Sequence, residues 1–391
     1  MIAPARWMPI LGAVVLLGAA AAAAAAEKTL TVASWGGAYA QSQQIAYYRP
    51  FQEQTGIAIN SVYHGGTTAL FGNGREYRFG NWDVVDVSAG ALESGCRDGL
   101  LAPISKDALA PARDGTPAEK DFLAGALHEC GVASMAWSSV IVYDKRAFGS
   151  KPPKTAADFF DLKRFPGKRA LKRGAQYTLE LALLADGVAP ANVYSELATE
   201  AGLKRAFAVL QRIKDDVVWW TSSEEPLKLL ADGKVAMATT FNGRAFVALV
   251  ADNRALAFLW DGHIYTMDSW AIPKSSKNKD AALQFIAFAT KPERLAEQAK
   301  RFPYGPVRKS ALKMVGDHPE IDVDMSPFLP TSPANLKHAL QVDAAWWLEH
   351  GDAVEAKFAS WLSAHSSSGE DSVRTSSAED GKEAPKSTVS P

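Results

Sequence analysis

Few residues of this 391-residue chain are arranged in the sets that perform covalent or metal chemistry. The glycine-rich segment at residues 65–80 lacks the Gly-Lys-Ser/Thr triplet with which a P-loop grips phosphate. The chain has neither a Gly-x-Ser-x-Gly nucleophile elbow nor a His-Glu-x-x-His zinc motif. His128, Glu129 and Cys130 are adjacent, but successive side chains of an extended chain point in opposite directions and nothing completes a ligand set. The sequence therefore predicts no catalytic residues, no metal site and no cofactor.

The first 26 residues have the pattern of a secretory signal peptide. One basic residue, Arg6, precedes an apolar run at residues 8–17 and an alanine tract at residues 19–26, after which we expect cleavage. A membrane anchor is the alternative interpretation, but no basic cluster follows the apolar stretch to stop its transfer. The pattern favours export to the periplasm.

Cys96 and Cys130 are the two cysteines of the chain. Export would place them in an oxidising compartment, where disulfides persist. We therefore expect a Cys96–Cys130 disulfide, with two buried free thiols as the alternative.

The composition describes a folded body with an unstructured end. The net charge is −1, so a nucleic-acid partner held by bulk positive charge is not expected. Hydrophobic residues make up 47% of the chain, enough for a large core, and the length predicts two or three lobes. Residues 366–391 contain no aromatic residue and are rich in Ser, Glu, Lys and Gly, which predicts a disordered tail.

Between these ends, strand-like and helix-like patterns alternate. Period-2 or β-rich runs predict strands at residues 28–35, 57–63, 81–87, 217–219 and 236–240, and part of another at 141–143. Apolar residues at helical spacing predict helices at residues 41–55, 177–184, 203–213, 225–231, 281–290, 293–300 and 343–361. The alternation implies an α/β fold with parallel strands and helices on the sheet faces, and we expect at least two sheets.

Several of these segments resemble the periplasmic solute-binding proteins of ABC importers, in particular the spermidine/putrescine-binding branch. The similarity covers residues 28–312 and is carried by LTVASWGGAY, FQEQTGIAI, NWDVVDVSAG, RDGLLAPIS and LKLLADGKVAMATTFNGRAF. The most specific match is GHIYTMDSWAIPKSSKNKDAALQFIAF, which is followed by the stretch Tyr304-Gly305-Pro306.

The resemblance implies a type II periplasmic-binding-protein fold, in which a ligand cleft separates two α/β lobes. Lobe one would comprise residues 27–140 plus 267–304, and lobe two residues 141–266 plus 305–365. Closure would be a hinge motion near residues 140–142, 265–267 and 304–306. The closed monomer would deliver an amine or polyamine-like solute to ABC permease subunits in the inner membrane. Their ATPase would be a separate chain, in agreement with the missing P-loop.

The resemblance also implies site residues. Trp35, Phe241, Asp268 and Tyr304 match positions that contact ligand in the family. An ammonium ligand needs a carboxylate and aromatic faces, and Asp268 is an unusual charge at the start of an apolar strand. Trp35 follows a strand at its carboxyl end, where open α/β sheets bind ligands. Core packing for the aromatic residues and a turn or cap for Asp268 are the alternatives.

Departures from the family pattern bear on the ligand. Polyamine binders have Trp where this chain has Thr266, and acidic residues near the positions of Gly174 and Tyr177. Their first-lobe tyrosines are replaced by residues 88–90, and Phe241 replaces the more usual Trp. Because a buried polycation beside one carboxylate would leave charge uncompensated, we expect one cationic centre.

A zwitterionic amine such as an amino acid derivative fits this polarity. Arg244 or the Gly36-Gly37 backbone would hold its carboxylate. An exported enzyme or a chemosensory receptor domain on the same fold are the alternative functions. The pairs Trp219-Trp220 and Trp346-Trp347 lie outside the matched motifs, and we expect them to pack in the core.

Overall fold

The computed structural model of the protein describes residues 28–65, 79–250 and 252–364. The predicted signal peptide and the predicted disordered tail lie outside these residues. Within the described ranges, no helix combines the length and the apolar character needed to cross a membrane.

Ten strands, numbered β1 to β10 in chain order, form one hydrogen-bonded sheet. They are β1 Thr29–Ser34, β2 Ala58–Tyr63, β3 Val84–Val87, β4 Leu127–His128, β5 Gly131–Asp144, β6 Arg169–Lys172, β7 Val217–Trp220, β8 Met237–Phe241, β9 Leu256–Ala271 and β10 Leu340–Gln341. Their order across the sheet is β2-β1-β3-β9-β5-β8-β6-β7, with β4 beside β5 and β10 beside β9.

The expectation of at least two sheets is therefore wrong for the described chain. The reason is the length of β5 and β9, which contain 14 and 16 residues and pair antiparallel. At about 3.3 Å per residue, each strand extends over roughly 45–55 Å, so different parts of it can pair with different neighbours. β3 pairs with β9, and β8 pairs with β5. Because β5 and β9 also pair with each other, the strands on both sides of them belong to one sheet.

Helices cover this sheet. They span Gly37–Gln43, Arg49–Thr55, Ala89–Arg97, Ala118–Asp121, Lys145–Phe148, Ala156–Phe159, Thr178–Ala185, Val193–Leu197, Glu200–Gln211, Glu225–Ala231, Asn242–Val250, Lys279–Ala289, Pro292–Arg301, Lys309–Leu312 and Ala344–Ser363. A π-helical turn joins the first two and completes the helix expected at residues 41–55. Gly56 ends it with a left-handed backbone, φ 70°.

The third predicted strand begins later than expected, at Val84 instead of residue 81. Residues 79–82 form a turn in which the Trp82 amide donates to the Phe79 carbonyl at 2.9 Å. Asp83 then accepts a hydrogen bond from the Thr31 amide at 2.9 Å and another from the Ser276 hydroxyl at 2.7 Å. These contacts fix the start of β3, whose four residues are all buried.

Apolar side chains pack in separate clusters on the two halves of the sheet. We call the half with β1, β2 and β3 the first end, and the half with β6, β7 and β8 the second end. Phe51, Trp270 and Phe285 belong to one large cluster, whereas Phe159 and Phe358 belong to another. The molecule thus has the two-lobed α/β organisation of the expected fold.

The expected lobe boundary at residue 305 does not coincide with this packing. Val307 and Ala311 pack in the first large cluster, although residues 305–365 were expected in the second lobe. Nearby, the Arg308 guanidinium donates to the Asp121 carboxylate at 2.6 Å, and both side chains are almost completely buried. Because the charges of a buried pair must stay together, this ion pair holds the segment against the first end of the sheet.

Cys96 and Cys130 are joined by a disulfide, with their Cα atoms 5.7 Å apart. Cys96 lies in the helix Ala89–Arg97 that follows β3, and Cys130 directly precedes β5. The bond thereby links the helix to the start of β5, the central strand that pairs with both β9 and β8.

The exported protein should contain no free thiol when it is unfolded without reductant, and two after reduction. Replacing both cysteines with alanine should lower the free energy of unfolding by about 2–4 kcal/mol, because the bridge restricts the unfolded chain. Thiol titration in denaturant checks the first statement and chemical denaturation the second. Two thiols in the unreduced exported protein would contradict the pairing.

Candidate functional site

A cavity of about 930 Å³ opens between the two ends of the sheet. The first end contributes Trp35, Gly36, Gly37, Tyr39 and Ser88, the second contributes Glu224, Phe241, Gly243 and Arg244, and the lining continues over Met135, Trp137, Asp268, Phe302 and Tyr304. All five residues named from sequence as ligand contacts, Trp35, Phe241, Arg244, Asp268 and Tyr304, line this one cavity.

Asp268 is the carboxylate of the cavity that is most strongly removed from water. It lies toward the carboxyl end of β9, so the expectation that it starts a strand is wrong; the strand begins at Leu256. Its side chain is 3% exposed, and its Oδ1 accepts a hydrogen bond from the Trp137 indole at 2.9 Å. Burial raises the pKa of Asp268 well above the ordinary carboxyl value, and the charge of Asp86 raises it further.

Asp86 is a second buried carboxylate, on β3 behind the cavity. It is completely buried, and its Oδ2 accepts hydrogen bonds from the Ser34 hydroxyl at 3.0 Å, the Tyr39 hydroxyl at 2.9 Å and the Gln43 amide at 3.0 Å. Its Oδ1 accepts from the Ser134 hydroxyl at 3.4 Å. Burial raises the pKa of Asp86 to about 6, although these donors favour the charged form and oppose the shift.

The pairing of β3 with β9 brings these two acids close together. Asp86 lies opposite Trp270, two residues from Asp268, and the Ser134 hydroxyl contacts both the Asp86 carboxylate and the Asp268 carbonyl. Within the described chain, all hydrogen-bond donors to the two carboxylates are neutral groups. Since buried negative charge without a counter-ion is costly, the site favours either a proton or a bound cation.

Aromatic rings surround the approach to Asp268. The Tyr304 ring packs at 5.2 Å from Tyr39 and 4.6 Å from Phe302, and the Phe241 ring packs edge-on at 5.2 Å from Trp137. Such ring faces attract a cation and cover its methylene groups.

A helix directly follows Phe241. Phe241 ends β8 and the helix Asn242–Val250 begins at the next residue, so its first turn faces the cavity. Gly243 permits this approach, because a Cβ there would lie 2.9 Å from the Phe302 ring and 3.1 Å from the Tyr304 ring. The second residue after Phe241 must therefore be small.

Arg244 lies in the first turn of that helix, with its side chain 47% exposed. Its Nη1 pairs with Glu224 Oε1 at 2.8 Å. The other lining acids also have basic partners, Asp232 with Lys228 and Asp252 with Arg254, each at 3.0 Å. Among the cavity-lining carboxylates of the described chain, Asp268 is the one without a basic partner.

The segment that replaces the family's second-lobe acids is occupied by contacts within the protein. Tyr177 has a left-handed backbone, φ 72°, and its ring lies 6.0 Å from Trp137. The amides of Ala175 and Gln176 donate to the Glu355 carboxylate at 2.9 and 3.4 Å. This segment thus contributes an aromatic ring beside Trp137, and the Glu355 carboxylate already accepts its backbone amides.

The tryptophan pairs outside the matched motifs pack as expected. Trp347 donates to the buried Glu180 carboxylate at 2.7 Å, and the Trp346 ring packs on Tyr194 at 5.4 Å. Burial raises the pKa of Glu180 to about 7. Trp220 has a further role, because its ring packs edge-on against Phe241, with the ring centroids 5.9 Å apart.

Within the described ranges, no three His, Cys, Asp or Glu side chains are grouped as a metal site requires.

Sequence reasoning missed Tyr39, Trp137 and Asp86. Asp86 had the same signal as Asp268, a charge within an apolar strand, and the same argument could have found it. Trp137 gave no such signal, because its contact with Asp268 depends on the β5–β9 register, which places it opposite Thr266.

Comparison with known proteins agrees with this arrangement. Residues 46–327 match the family described as bacterial extracellular solute-binding protein. The chain is 40% identical over 334 residues to the gamma-aminobutyric acid-binding protein of Pseudomonas aeruginosa, covering 85% of this chain and 91% of that protein. It is 27% identical over 282 residues to the spermidine/putrescine-binding periplasmic protein of Salmonella typhimurium, covering 71% and 77%. A crystal structure of an ABC transporter substrate-binding protein from Bradyrhizobium japonicum superimposes with a TM-score of 0.71 at 30% identity, covering 85% and 99%.

The unliganded protein should lose stability as the pH rises from about 4 to about 6, because folded Asp86 retains a proton that the unfolded chain has released. Asp86→Asn should remove about 2–3 kcal/mol of that decline, since the amide keeps an acceptor for Ser34, Tyr39 and Gln43 but carries no charge. Denaturation at a series of pH values measures the effect. The exposed Asp352→Asn is the matched control, and parallel pH profiles for Asp86→Asn and the unsubstituted protein would contradict the assignment.

Proposed function

The chain belongs to the bacterial extracellular solute-binding protein family of ABC importers, and from this premise we propose that its ligand is a small zwitterionic amine of the ω-amino acid class. It is a substrate-binding component and not an enzyme. In this proposal the protein acts in the periplasm after removal of residues 1–26. It binds the amine there as a monomer and delivers it to permease subunits.

The observation that carries the proposal is the isolation of Asp268. It is a buried carboxylate inside an aromatic-lined cavity, and the described chain gives it no basic partner. One ammonium group would neutralise it, while Tyr304 and Trp35 would cover the adjacent methylenes. The ordinary alternatives for this residue, a cap or a turn, do not apply inside a 16-residue strand.

The same cavity also offers a cation for a carboxylate on the ligand. Arg244 lies in the first turn of the helix Asn242–Val250, where the helix dipole also favours negative charge. The Gly36-Gly37 backbone lines the cavity as well and is the alternative donor to that carboxylate. Asp268 and Arg244 thus bring unlike charges to one cavity, as a zwitterion requires.

A polyamine fits the same cavity less well. Each further ammonium group would need a carboxylate, yet Glu224, Asp232 and Asp252 are paired with basic side chains. Glu355 accepts two backbone amides from the segment that faces the ligand in polyamine binders. The relative in Pseudomonas aeruginosa is a gamma-aminobutyric acid-binding protein, which also favours an amino acid over a polyamine.

Closure over the ligand would bend the two long strands. In this proposal the described residues of the first lobe are 28–65, 79–138 and 265–315, and those of the second lobe are 139–250, 252–264 and 316–364. The β5–β9 ladder is irregular between Ser139 and Ile141, within the segment expected to act as a hinge. Gly305, in the third segment expected to act as a hinge, is hydrogen-bonded to Ala136 of β5 close to this irregularity.

A melting-shift panel with γ-aminobutyrate, putrescine, spermidine and a quaternary amine tests the ligand class. We expect the largest rise in Tm with γ-aminobutyrate, because ligand binding to the folded state alone stabilises it. A rise with a sugar or a metal ion, together with no response to any amine, would contradict the proposal.

Asp268→Asn should weaken the binding of γ-aminobutyrate by about 1–3 kcal/mol or more, because the ammonium group loses its counter-charge while the side chain keeps its shape. Isothermal titration measures the dissociation constant. The exposed Asp352→Asn serves as the control with unchanged affinity. Equal affinity for Asp268→Asn and the unsubstituted protein would remove Asp268 from the binding site.

A further inference from the structure

The cation proposed to hold the ligand carboxylate already has a carboxylate partner. Arg244 Nη1 lies 2.8 Å from Glu224 Oε1, and both side chains line the cavity. Glu224 directly precedes the helix Glu225–Ala231, so it approaches Arg244 from a different element of the same end of the sheet. A ligand carboxylate would meet Arg244 only in competition with Glu224.

Two neighbouring hydroxyls hold Glu224 in this position. The Ser222 hydroxyl donates to Oε2, and the Ser223 hydroxyl donates to Oε1 at 3.4 Å. These hydrogen bonds and the charge of Arg244 lower the pKa of Glu224, so its carboxylate stays ionised near neutral pH. The segment thus presents a fixed negative charge to the cavity.

The ion pair is nevertheless exchangeable. The Glu224 side chain is 67% exposed and that of Arg244 47%, and such pairs are weak because water and salt screen them. A ligand whose ammonium is anchored at Asp268 would bring its carboxylate to Arg244 at high local concentration, so the exchange is feasible. A simple carboxylic acid has no such anchor, because it carries no ammonium group for Asp268.

On the basis of the proposed function, we propose that Glu224 is a specificity-determining residue that masks Arg244, so that the ligand carboxylate must replace it. The mask makes both ligand charges necessary. It disfavours simple anions, because Arg244 is already neutralised. It also binds the far ammonium of a diamine only weakly, because the Glu224 carboxylate is already paired with Arg244. Selectivity between zwitterions and diamines would then depend on the charge at position 224.

A double-mutant cycle with γ-aminobutyrate and putrescine tests this assignment. Glu224→Gln should bind γ-aminobutyrate about two- to fivefold more tightly, because Arg244 is unmasked, and putrescine no more tightly than before. Arg244→Gln should weaken γ-aminobutyrate about tenfold or more. In the Arg244→Gln background, Glu224→Gln should bring no gain, since no cation remains to be unmasked.

Glu225→Gln is the matched control, because it removes the adjacent charge from a residue that does not line the cavity; its affinities should equal those of the unsubstituted protein. Unchanged or weaker γ-aminobutyrate binding by Glu224→Gln would overturn the inference. So would an equal gain in both backgrounds, which would mean a general charge effect. If Asp268→Asn loses binding while Glu224→Gln behaves as the unsubstituted protein, only this inference falls. If the unsubstituted protein binds none of the amines, the proposed function falls and the inference with it.

Discussion

Buried negative charge without a counter-cation is the constraint on which the account of this site depends. Asp86 and Asp268 lie on adjacent strands, both almost fully removed from water, and the described chain offers them only neutral hydrogen-bond donors. Such an arrangement costs stability in the empty protein and is relieved by a proton or by a cation. The proposed affinity for an ammonium group would follow from the same cost, because the ligand would supply the counter-charge that the described chain does not.

The scaffold positions this charge between two separately packed ends. β5 and β9 contribute residues to both apolar clusters, and Met135, Trp137 and Asp268 of these two strands line the cavity between the clusters. The β5–β9 register places Trp137 where its indole can donate to Asp268, and Gly243 lets the helix that carries Arg244 start against Tyr304. The proposed ammonium site therefore lies on long paired strands, whereas the proposed carboxylate site lies on a helix of the second end. A ligand that contacts both would favour closure.

Much of this could be predicted from sequence, and the remainder has physical reasons. Helix spacing located elements such as Glu225–Ala231, and the resemblance to periplasmic solute-binding proteins selected Trp35 and Asp268, which line one cavity. The single sheet could not be predicted, because the first part of β5 is rich in small residues that give no strand pattern. Only residues 141–143 of this 14-residue strand were therefore predicted. Glu224 could not be found either, since an acid in a polar loop gives no signal until its contact with Arg244 is known.

Calorimetric titration with γ-aminobutyrate at about pH 6, in two buffers of different ionisation enthalpy, tests most directly whether the buried acids receive the ammonium group of the ligand. Burial raises the pKa of Asp86 to about 6 and raises that of Asp268 above the ordinary carboxyl value, and an ammonium beside Asp268 would favour the ionised forms. We expect net proton release, so the heat of binding should differ between the buffers by a measurable fraction of one proton per ligand. Equal heats in both buffers, or proton uptake, would contradict it.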